Sequence, residues 1–201
     1  MTESNILLST SYLPPVFYMM CIANSPNVII EAHEHYQKQS FRNRAVIYDT
    51  QGPQNLNIPV KHAPDQTPIS AICIDYKHAW QKQHIGALQT AYGQAPYFEY
   101  YADEYFYRIK NAPEYLMEFN QMLLEALCAD MEILFKPAFT GKFELKPETA
   151  IDLRFSIHPK KAIPSVEGLA STSKPHQDRY LKTSAIELLF LHGPESWKYL
   201  E

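Results

Sequence analysis

The first thirty residues contain two short apolar runs separated by a proline-initiated segment, and this arrangement most constrains the fold. Asn5–Ser9 (NILLS) and residues 28–32 (VIIEA) have the length and composition of strands. Residues 15–21 (PVFYMMC) predict a helix between them, because proline is tolerated in the first turn of a helix. A strand, a crossover helix and a second strand in this order place the two strands in parallel in one sheet.

The rest of the first half is also predicted to form strands. Residues 44–48 and 56–60 flank a turn-rich segment and predict an antiparallel hairpin, and residues 69–75 predict a further strand. Parallel and antiparallel pairs together make a mixed arrangement. We therefore expect a small mixed β-sheet in the N-terminal half, flanked by helices.

The second half changes to the three- to four-residue period of amphipathic helices. The predicted helices lie at about 80–93, at 115–135 and at 184–192, with a last turn at 195–200. Two short strands are predicted at 143–146 and 151–157, and a long surface loop at 158–179. The predicted fold class is α/β (α+β mixed), in a single domain over residues 1–201 that is strand-rich at 1–76 and helix-rich at 77–201.

Composition restricts the function. The 201 residues include only 6 Gly, and neither GxGxxG nor GxxxxGK[ST], the loops of common nucleotide-binding folds, occurs in the chain. The net charge of −4 gives no general attraction to nucleic acid or to an anionic membrane. No run approaches the ~20 apolar residues of a membrane span, and the 3 Cys show no CxxC spacing. We expect a cytoplasmic protein with a small-molecule substrate, without nucleic acid and without a membrane span.

The densest polar segment, residues 31–44 (EAHEHYQKQSFRNR), directly follows the second predicted strand. In extended geometry Glu31, His33 and His35 share one face, because side chains alternate along a strand. Such a face suits an acid–base pair or a metal ion. The alternative interpretation is a polar strand end that leads into a solvated loop.

Cations follow in the same segment. Lys38, Arg42 and Arg44 predict a local site for carboxylate or phosphate oxygens, since the guanidinium group presents a planar fork of donors. Any anionic ligand is expected to bind at such a local site, because the whole chain is weakly acidic.

A second group of candidates lies on the predicted helix that starts near Trp80. Trp80 and His84 are four residues apart and therefore adjacent on one helical face. Tyr92 and Tyr97 follow in an aromatic segment that could wall a pocket for a flat or sugar-like ligand. For the aromatic residues, packing in the core is the alternative interpretation. His84 has two possible interpretations, a hydrogen-bonded imidazole in the interior or a titrating group in a cleft.

A third group follows the predicted strand at 151–157. Asp152, Arg154, Ser156 and His158 would share one face of that strand, directed to a cleft or to water. No nucleophile is evident, because the chain contains neither GxSxG nor HExxH.

Several segments occur in one order along nearly the whole chain. They are STSYLPP at 9–15, EAHEHYQKQSFRNR at 31–44, IDYK at 74–77 with Trp80 and His84, PYFEYY at 96–101, and GPE at 193–195. In this order they resemble the WbqC-like protein family. The resemblance implies a component of bacterial surface-polysaccharide (O-antigen) or related biosynthetic clusters, a family in which many members have no assigned reaction.

The resemblance points to a set of residues without naming their roles. The set is Glu31, His33, Glu34, Lys38, Gln39, Arg42, Asn43, Arg44, Trp80, His84, Tyr92 and Pro96. We predict catalytic roles for His33 or His84 as general base, oriented by Glu31 or Glu34. The remaining members of the set, apart from Pro96, are predicted to bind substrate together with Tyr97.

The leading hypothesis is a transferase that modifies an activated sugar or an amine. Lys38, Arg42 and Arg44 would hold the anionic part of a nucleotide diphosphate or a phosphopantetheine thioester. A non-catalytic scaffold of a biosynthetic complex, with residues 97–107 as its contact surface, is the alternative. A metal-dependent hydrolase using His33 and His35 is the second alternative. The sequence identifies no cofactor and no oligomeric state.

Overall fold

A computed structural model describes residues 5–25, 27–148, 150–166 and 177–200 of the chain. The strands are β1 (Asn5–Ser9), β2 (Val28–Glu31), β3 (Arg44–Asp49), β4 (Gly52–Asn57), β5 (Ala138–Phe139) and β6 (Ala150–Asp152). The α-helices are α1 (Val16–Ala23), α2 (Trp80–Tyr92), α3 (Phe98–Lys110), α4 (Leu116–Asp130), α5 (Gln177–Lys182) and α6 (Ile186–His192). The predicted α/β class is confirmed, and the parallel and antiparallel strand pairs belong to two separate sheets.

The larger sheet has four strands in the order β5-β2-β1-β6, and all of its pairs are parallel. The predicted unit of strand, helix and parallel strand is confirmed by β1, α1 and β2, with Leu7 opposite Ile29. All but the last residue of α1 are buried. The Tyr18 hydroxyl donates to the Ser9 carbonyl at 2.9 Å, which fixes α1 against the end of β1.

The smaller sheet is the hairpin of β3 and β4, in which Asp49 lies opposite Gly52. The Asp49 carboxylate accepts hydrogen bonds from the backbone N–H groups of Gln51 and Gly52. This tight turn starts β4 at Gly52, so the hairpin is confirmed but its second strand begins four residues before the predicted range 56–60.

Three predicted strands are wrong or too long. Residues 69–75 form a 3₁₀ helix at Ile69–Ala71, followed by isolated bridges, because neighbouring segments pair with them at single residues only. Residues 143–146 are exposed and form no strand. β6 ends at Asp152, because the amides of Ser156 and Ile157 turn back to the Leu153 carbonyl. The predicted shared face of Asp152, Arg154, Ser156 and His158 therefore does not exist.

The helices differ from prediction at their ends. The helix predicted at 115–135 stops at Asp130, because Glu132 has a φ of 57° and the Ile133 amide bonds the Cys128 carbonyl. Such a left-handed residue is a common helix terminator. The aromatic segment forms α3, which was not predicted. Part of the predicted loop forms α5, and residues 167–176 lie outside the described residues.

The packing around the larger sheet is apolar. One core joins α1, β1, β2, the hairpin and the inner faces of α2, α3, α4 and α6. Among the helices in the described ranges, none combines the length and hydropathy needed to cross a membrane.

Candidate functional site

Polar residues collect at the carboxyl ends of the parallel strands. β1 ends at Ser9, β2 at Glu31 and β6 at Asp152, and the parallel register brings these ends to one edge of the sheet. The chain runs from β1 outward to β2 and β5, and it then returns to β6 on the other side of β1. In open parallel sheets ligands bind at such a reversal, outside the carboxyl ends. We therefore take this edge as the candidate site.

Arg42 and Glu34 form a buried bidentate pair at this edge. Nε of Arg42 donates to Oε1 of Glu34 at 2.7 Å, and Nη2 donates to Oε2 at 2.6 Å. Nη2 also donates to the Ser9 hydroxyl at 2.6 Å and to the Arg154 carbonyl at 3.2 Å. Arg42 is only 2% exposed. The pair therefore ties the segment after β2 to the ends of β1 and β6.

Arg154 forms a second buried network beside the first. Its Nη1 donates to Glu31 at 2.7 Å, and its Nε and Nη2 donate to the two oxygens of Asp152 at 2.9 and 2.7 Å. Oε1 of Glu31 accepts bonds from the His33 backbone N–H and the Thr140 hydroxyl. The hydrogen bonds that Arg154 donates hold its pKa above its usual value, and those to Asp152 have the largest effect.

A small hollow lies between the ends of β1 and β6. Its volume is about 10 Å³, and its lining includes Thr10, Ser11, Arg42 and Arg154. One water molecule needs roughly this space. Nη1 of Arg42 makes no hydrogen bond to any described residue, whereas Nε and Nη2 do.

A surface group, which we call the basic patch, consists of Arg44, His158, Lys160 and Lys161. The Lys160 ammonium donates to Oε1 of Gln39 at 2.8 Å, which joins the segment after β6 to the segment after β2. Burial lowers the pKa of His158, and the positive charges of Lys161, Arg42, Lys160 and Arg44 lower it further. The charges acting on this imidazole are all cationic, so the patch has a positive potential.

A larger cavity, which we call the sheet cleft, lies on the other side of Arg154 and has a volume of about 520 Å³. Its apolar lining is Leu7, Ile29, Phe139, Pro147 and Ala150. Its polar lining includes Glu31, Thr140, Lys142, Glu144 and Arg154. The Phe143 ring lies 4.9 Å from the Arg154 guanidinium carbon and covers it.

The second group of predicted residues lies elsewhere. His84 is 3% exposed, and its Nδ1 is 2.8 Å from the Tyr12 hydroxyl. The ring of Trp80 packs edge-on against it at 5.1 Å. Burial lowers the pKa of His84 to about 4, although a bond to the Asn57 backbone opposes the shift. This geometry is that of an interior imidazole, and a catalytic role of His84 stays a prediction.

Tyr92 and Tyr97 are also tied to structural partners. The Tyr92 hydroxyl donates to Glu187 at 2.7 Å and accepts the Tyr48 backbone N–H at 3.3 Å. The half-buried Tyr97 ring lies against Gly193. Neither tyrosine lines the hollow or the sheet cleft.

The predicted face of Glu31, His33 and His35 does not form, because β2 ends at Glu31. Glu31 and Glu34 are buried, whereas His33 and His35 are exposed. His35 stacks on the Phe143 ring at 6.4 Å. In the described part of the chain no three His, Cys, Asp or Glu side chains are grouped so that they could hold a metal ion.

The remaining predicted residues lie near the site with separate roles. Lys38 is exposed and lines another cavity, formed with residues 60–67. The Asn43 amide donates to the Ile58 carbonyl, and Nε of Arg44 donates to Asn57. Gln39 has a φ of 58° and accepts the Lys160 bond. Of the predicted set, Glu31, Glu34, Gln39, Arg42 and Arg44 thus lie with the carboxyl-edge residues.

The sequence analysis named Asp152 and Arg154 as a separate group directed to a cleft or to water, but it did not predict that Arg154 pairs with Glu31. Arg154 lies 123 positions after the Glu31 that it pairs with. A signal was available in the sequence, because Asp152 follows the apolar residues Ala150 and Ile151, much as Glu31 follows an apolar run. The polar residues that follow each parallel strand were therefore the candidates for the site at the carboxyl edge.

Comparisons with known proteins confirm the family resemblance. The model of the WbqC-like protein family matches residues 10–199, so the chain belongs to that family. The chain is also 31% identical over 147 residues to an uncharacterised protein, Rv1507c of Mycobacterium tuberculosis. That match covers 69% of this chain and 61% of the relative's length. No solved structure is significantly similar to the chain.

Proposed function

We propose that this member of the WbqC-like protein family is a bacterial transferase that binds an anionic activated donor at the basic patch. The transferred group goes to a sugar or an amine. The resemblance to proteins of surface-polysaccharide (O-antigen) clusters supports this type of substrate, and we place the reaction in the cytoplasm.

The observation that carries this proposal is a set of cations whose partners among the described residues are neutral oxygens. Arg44 donates to the Asn57 amide oxygen, Lys160 to Gln39, and Lys161 to the Phe155 carbonyl at 2.7 Å. A neutral acceptor leaves the positive charge uncompensated, whereas phosphate oxygens make shorter and stronger bonds to the same groups. The patch also lies where ligands bind in parallel sheets.

The hollow adds a buried contact to this surface. Arg42 lines the hollow, and the Glu34 pair fixes its guanidinium plane. Donors that are already oriented stabilise developing negative charge without reorganisation. One oxygen of the donor's phosphate or carbonyl group would occupy the hollow.

The proposed step is a nucleophilic displacement. The acceptor oxygen or nitrogen forms a bond to the transferred group, while the bond from that group to the donor's leaving group breaks. The electron pair of the broken bond leaves with the phosphate or the thiolate, and the acceptor proton passes to the base. We propose His33 as this base, because it is exposed directly after Glu31, which binds its backbone N–H.

A binding screen tests the proposal. Thermal unfolding of the full chain is measured with nucleoside diphosphate sugars and with acyl-coenzyme A thioesters. A ligand at about 100 times its Kd stabilises the folded state by roughly 2.7 kcal/mol, which raises the Tm of a chain this size by about 5–10 °C. One of the two donor classes should give this shift.

Variants locate the binding. The double variant Lys160→Ala and Lys161→Ala should lose the shift, because it removes two cations of the patch. The matched control Lys82→Ala and Lys110→Ala changes two exposed lysines on α2 and α3 and should keep it. Absence of a shift with both donor classes, or an equal shift in the two double variants, would contradict the proposal. For a donor that binds, His33→Ala should abolish product formation and leave the shift intact.

A scaffold is the second candidate function. The exposed fractions of Tyr100 and Tyr107 on α3 are 80% and 65%, which suits a contact surface. Under this alternative the two buried arginine networks only stabilise the fold. Two results together would favour the scaffold. No ligand in the screen raises the Tm, and the chain binds a biosynthetic enzyme with an affinity that Tyr100→Ala and Tyr107→Ala reduce.

A further inference from the structure

We propose that the sheet cleft binds a small protonated amine with an apolar body, with the ammonium group at Glu31. The inference rests on the proposed function in one respect, since it identifies this amine as the acceptor, whose ammonium group gives up one proton to Glu31 before the nitrogen attacks and a second to the base as the new bond forms. The sheet cleft is a separate site from the basic patch. It adjoins the hollow at Arg154, which lines both cavities.

The size and floor of the cleft suit a small molecule. Its volume of about 520 Å³ falls within the range of small-molecule sites. Leu7 of β1 and Ile29 of β2 are opposite one another and form an apolar floor, which Ala150 of β6 continues. This floor binds an apolar ring or chain by removing it from water.

The charges at the polar end favour a cation. Arg154 is shared by two carboxylates, Glu31 and Asp152, and Lys142 pairs with Glu144 at 3.0 Å. With Asp152, which lies beside the cleft and does not line it, these ion pairs comprise three carboxylates and two cations, which leaves one negative charge without a partner among these residues. A ligand ammonium group supplies the missing positive charge.

The hydrogen-bonding capacity leads to the same conclusion. Within the described part of the chain, Oε2 of Glu31 accepts one bond, from Arg154, so it retains an acceptor position. Arg154 already uses four of its five N–H donors on Asp152, Glu31 and the Glu144 carbonyl. A carboxylate ligand beside Glu31 would therefore find few free donors on Arg154 and would be repelled by Glu31, whereas an ammonium group donates to a charged acceptor.

Three probes of one shape test the charge preference. Cyclohexylmethylamine, cyclohexylmethanol and cyclohexanecarboxylate are titrated into the full chain carrying ¹³C-labelled Leu and Ile methyl groups. The methyl signals of Leu7 and Ile29 should shift with the amine, at a Kd about tenfold lower than with the alcohol, because a charge-assisted bond replaces a neutral one. The carboxylate should give the weakest binding of the three.

Two variants connect the binding to the cleft. Ala150→Leu fills the space above the floor without touching the ion pairs and should abolish the shifts. Its control is Ala138→Leu on β5, an exposed residue that does not line the cleft, which should leave binding unchanged. Glu31→Gln should remove the preference for the amine over the alcohol while the fold, followed by the methyl spectrum, persists.

The outcomes separate the two proposals. Equal binding of amine and alcohol, stronger binding of the carboxylate, or unshifted Leu7 and Ile29 signals would overturn the amine site. Lys160→Ala with Lys161→Ala should leave amine binding unchanged. Amine binding without any donor binding would therefore refute the transferase and keep the site, and donor binding without amine binding would refute only the site.

Discussion

The buried imidazole of His84 makes the stability of the fold depend on pH in a calculable way. Burial lowers its pKa from 6.5 to about 4 in the folded chain. The unfolded chain therefore binds a proton more readily, so the contribution of His84 to stability is fully present above pH 6.5 and is lost as the pH falls toward 4. A difference of about 2.5 pKa units corresponds to roughly 3 kcal/mol, of which about 2 kcal/mol is lost between pH 7 and pH 5.

The assay compares urea unfolding of the natural chain and of His84→Gln at pH 7 and pH 5. A glutamine oxygen still accepts a bond from the Tyr12 hydroxyl but does not titrate. Burial also lowers the pKa values of His158 and His192, and subtracting the two proteins cancels their contributions. The natural chain should therefore lose about 2 kcal/mol more than the variant between pH 7 and pH 5. An equal pH dependence in the two proteins would refute the reasoning.

Two further predictions concern packing and charge. Arg42→Met leaves the Glu34 carboxylate buried without its partner and should lower the free energy of unfolding by about 3–5 kcal/mol, whereas adding Glu34→Leu should recover most of this loss. If the losses in free energy of unfolding of the two single substitutions simply added in the double variant, the urea unfolding data would contradict the buried pair. Gly193→Ala should cost about 2 kcal/mol or more, because the new Cβ would lie 2.5 Å from the Tyr97 ring at a φ of 58°. Gly141→Ala, whose Cβ meets nothing within 4 Å, is the control and should unfold like the natural chain.

Local signals in the sequence were sufficient where neighbouring residues determine the structure. Apolar runs predict the strands β1 and β2, and a proline predicts the start of α1. The parallel pairing of the two strands follows from the handed geometry of strand–helix–strand units. The strand predicted at 69–75 failed for a different reason. An extended apolar segment becomes a strand only when a partner runs beside it for several residues, and here single bridges to Val60 and Tyr115 replace a ladder.

The candidate site also shows that local sequence signals do not determine contacts with distant segments. The polar composition of residues 31–44 predicted an unusual segment, but the burial of Glu31 and Glu34 depends on guanidinium groups that the fold supplies. Alternation along a strand selected His33 and His35 instead, because it assumed that β2 continues. The partner of Glu31 lies on a strand that pairs with β1 only in the folded chain. Periodicity contains no information on that pairing.

The pairing of β6 with β1 also has a consequence for the order of events during synthesis. During synthesis β1 receives its second neighbour only after residues 150–152 have been made, and Glu31 has its Arg154 partner only after residue 154 has been made. Until then β1 has an open edge and the Glu31 carboxylate has no cation to neutralise it. The segment that contains β1 and β2 is therefore expected to need protection from aggregation until residue 154 has emerged from the ribosome.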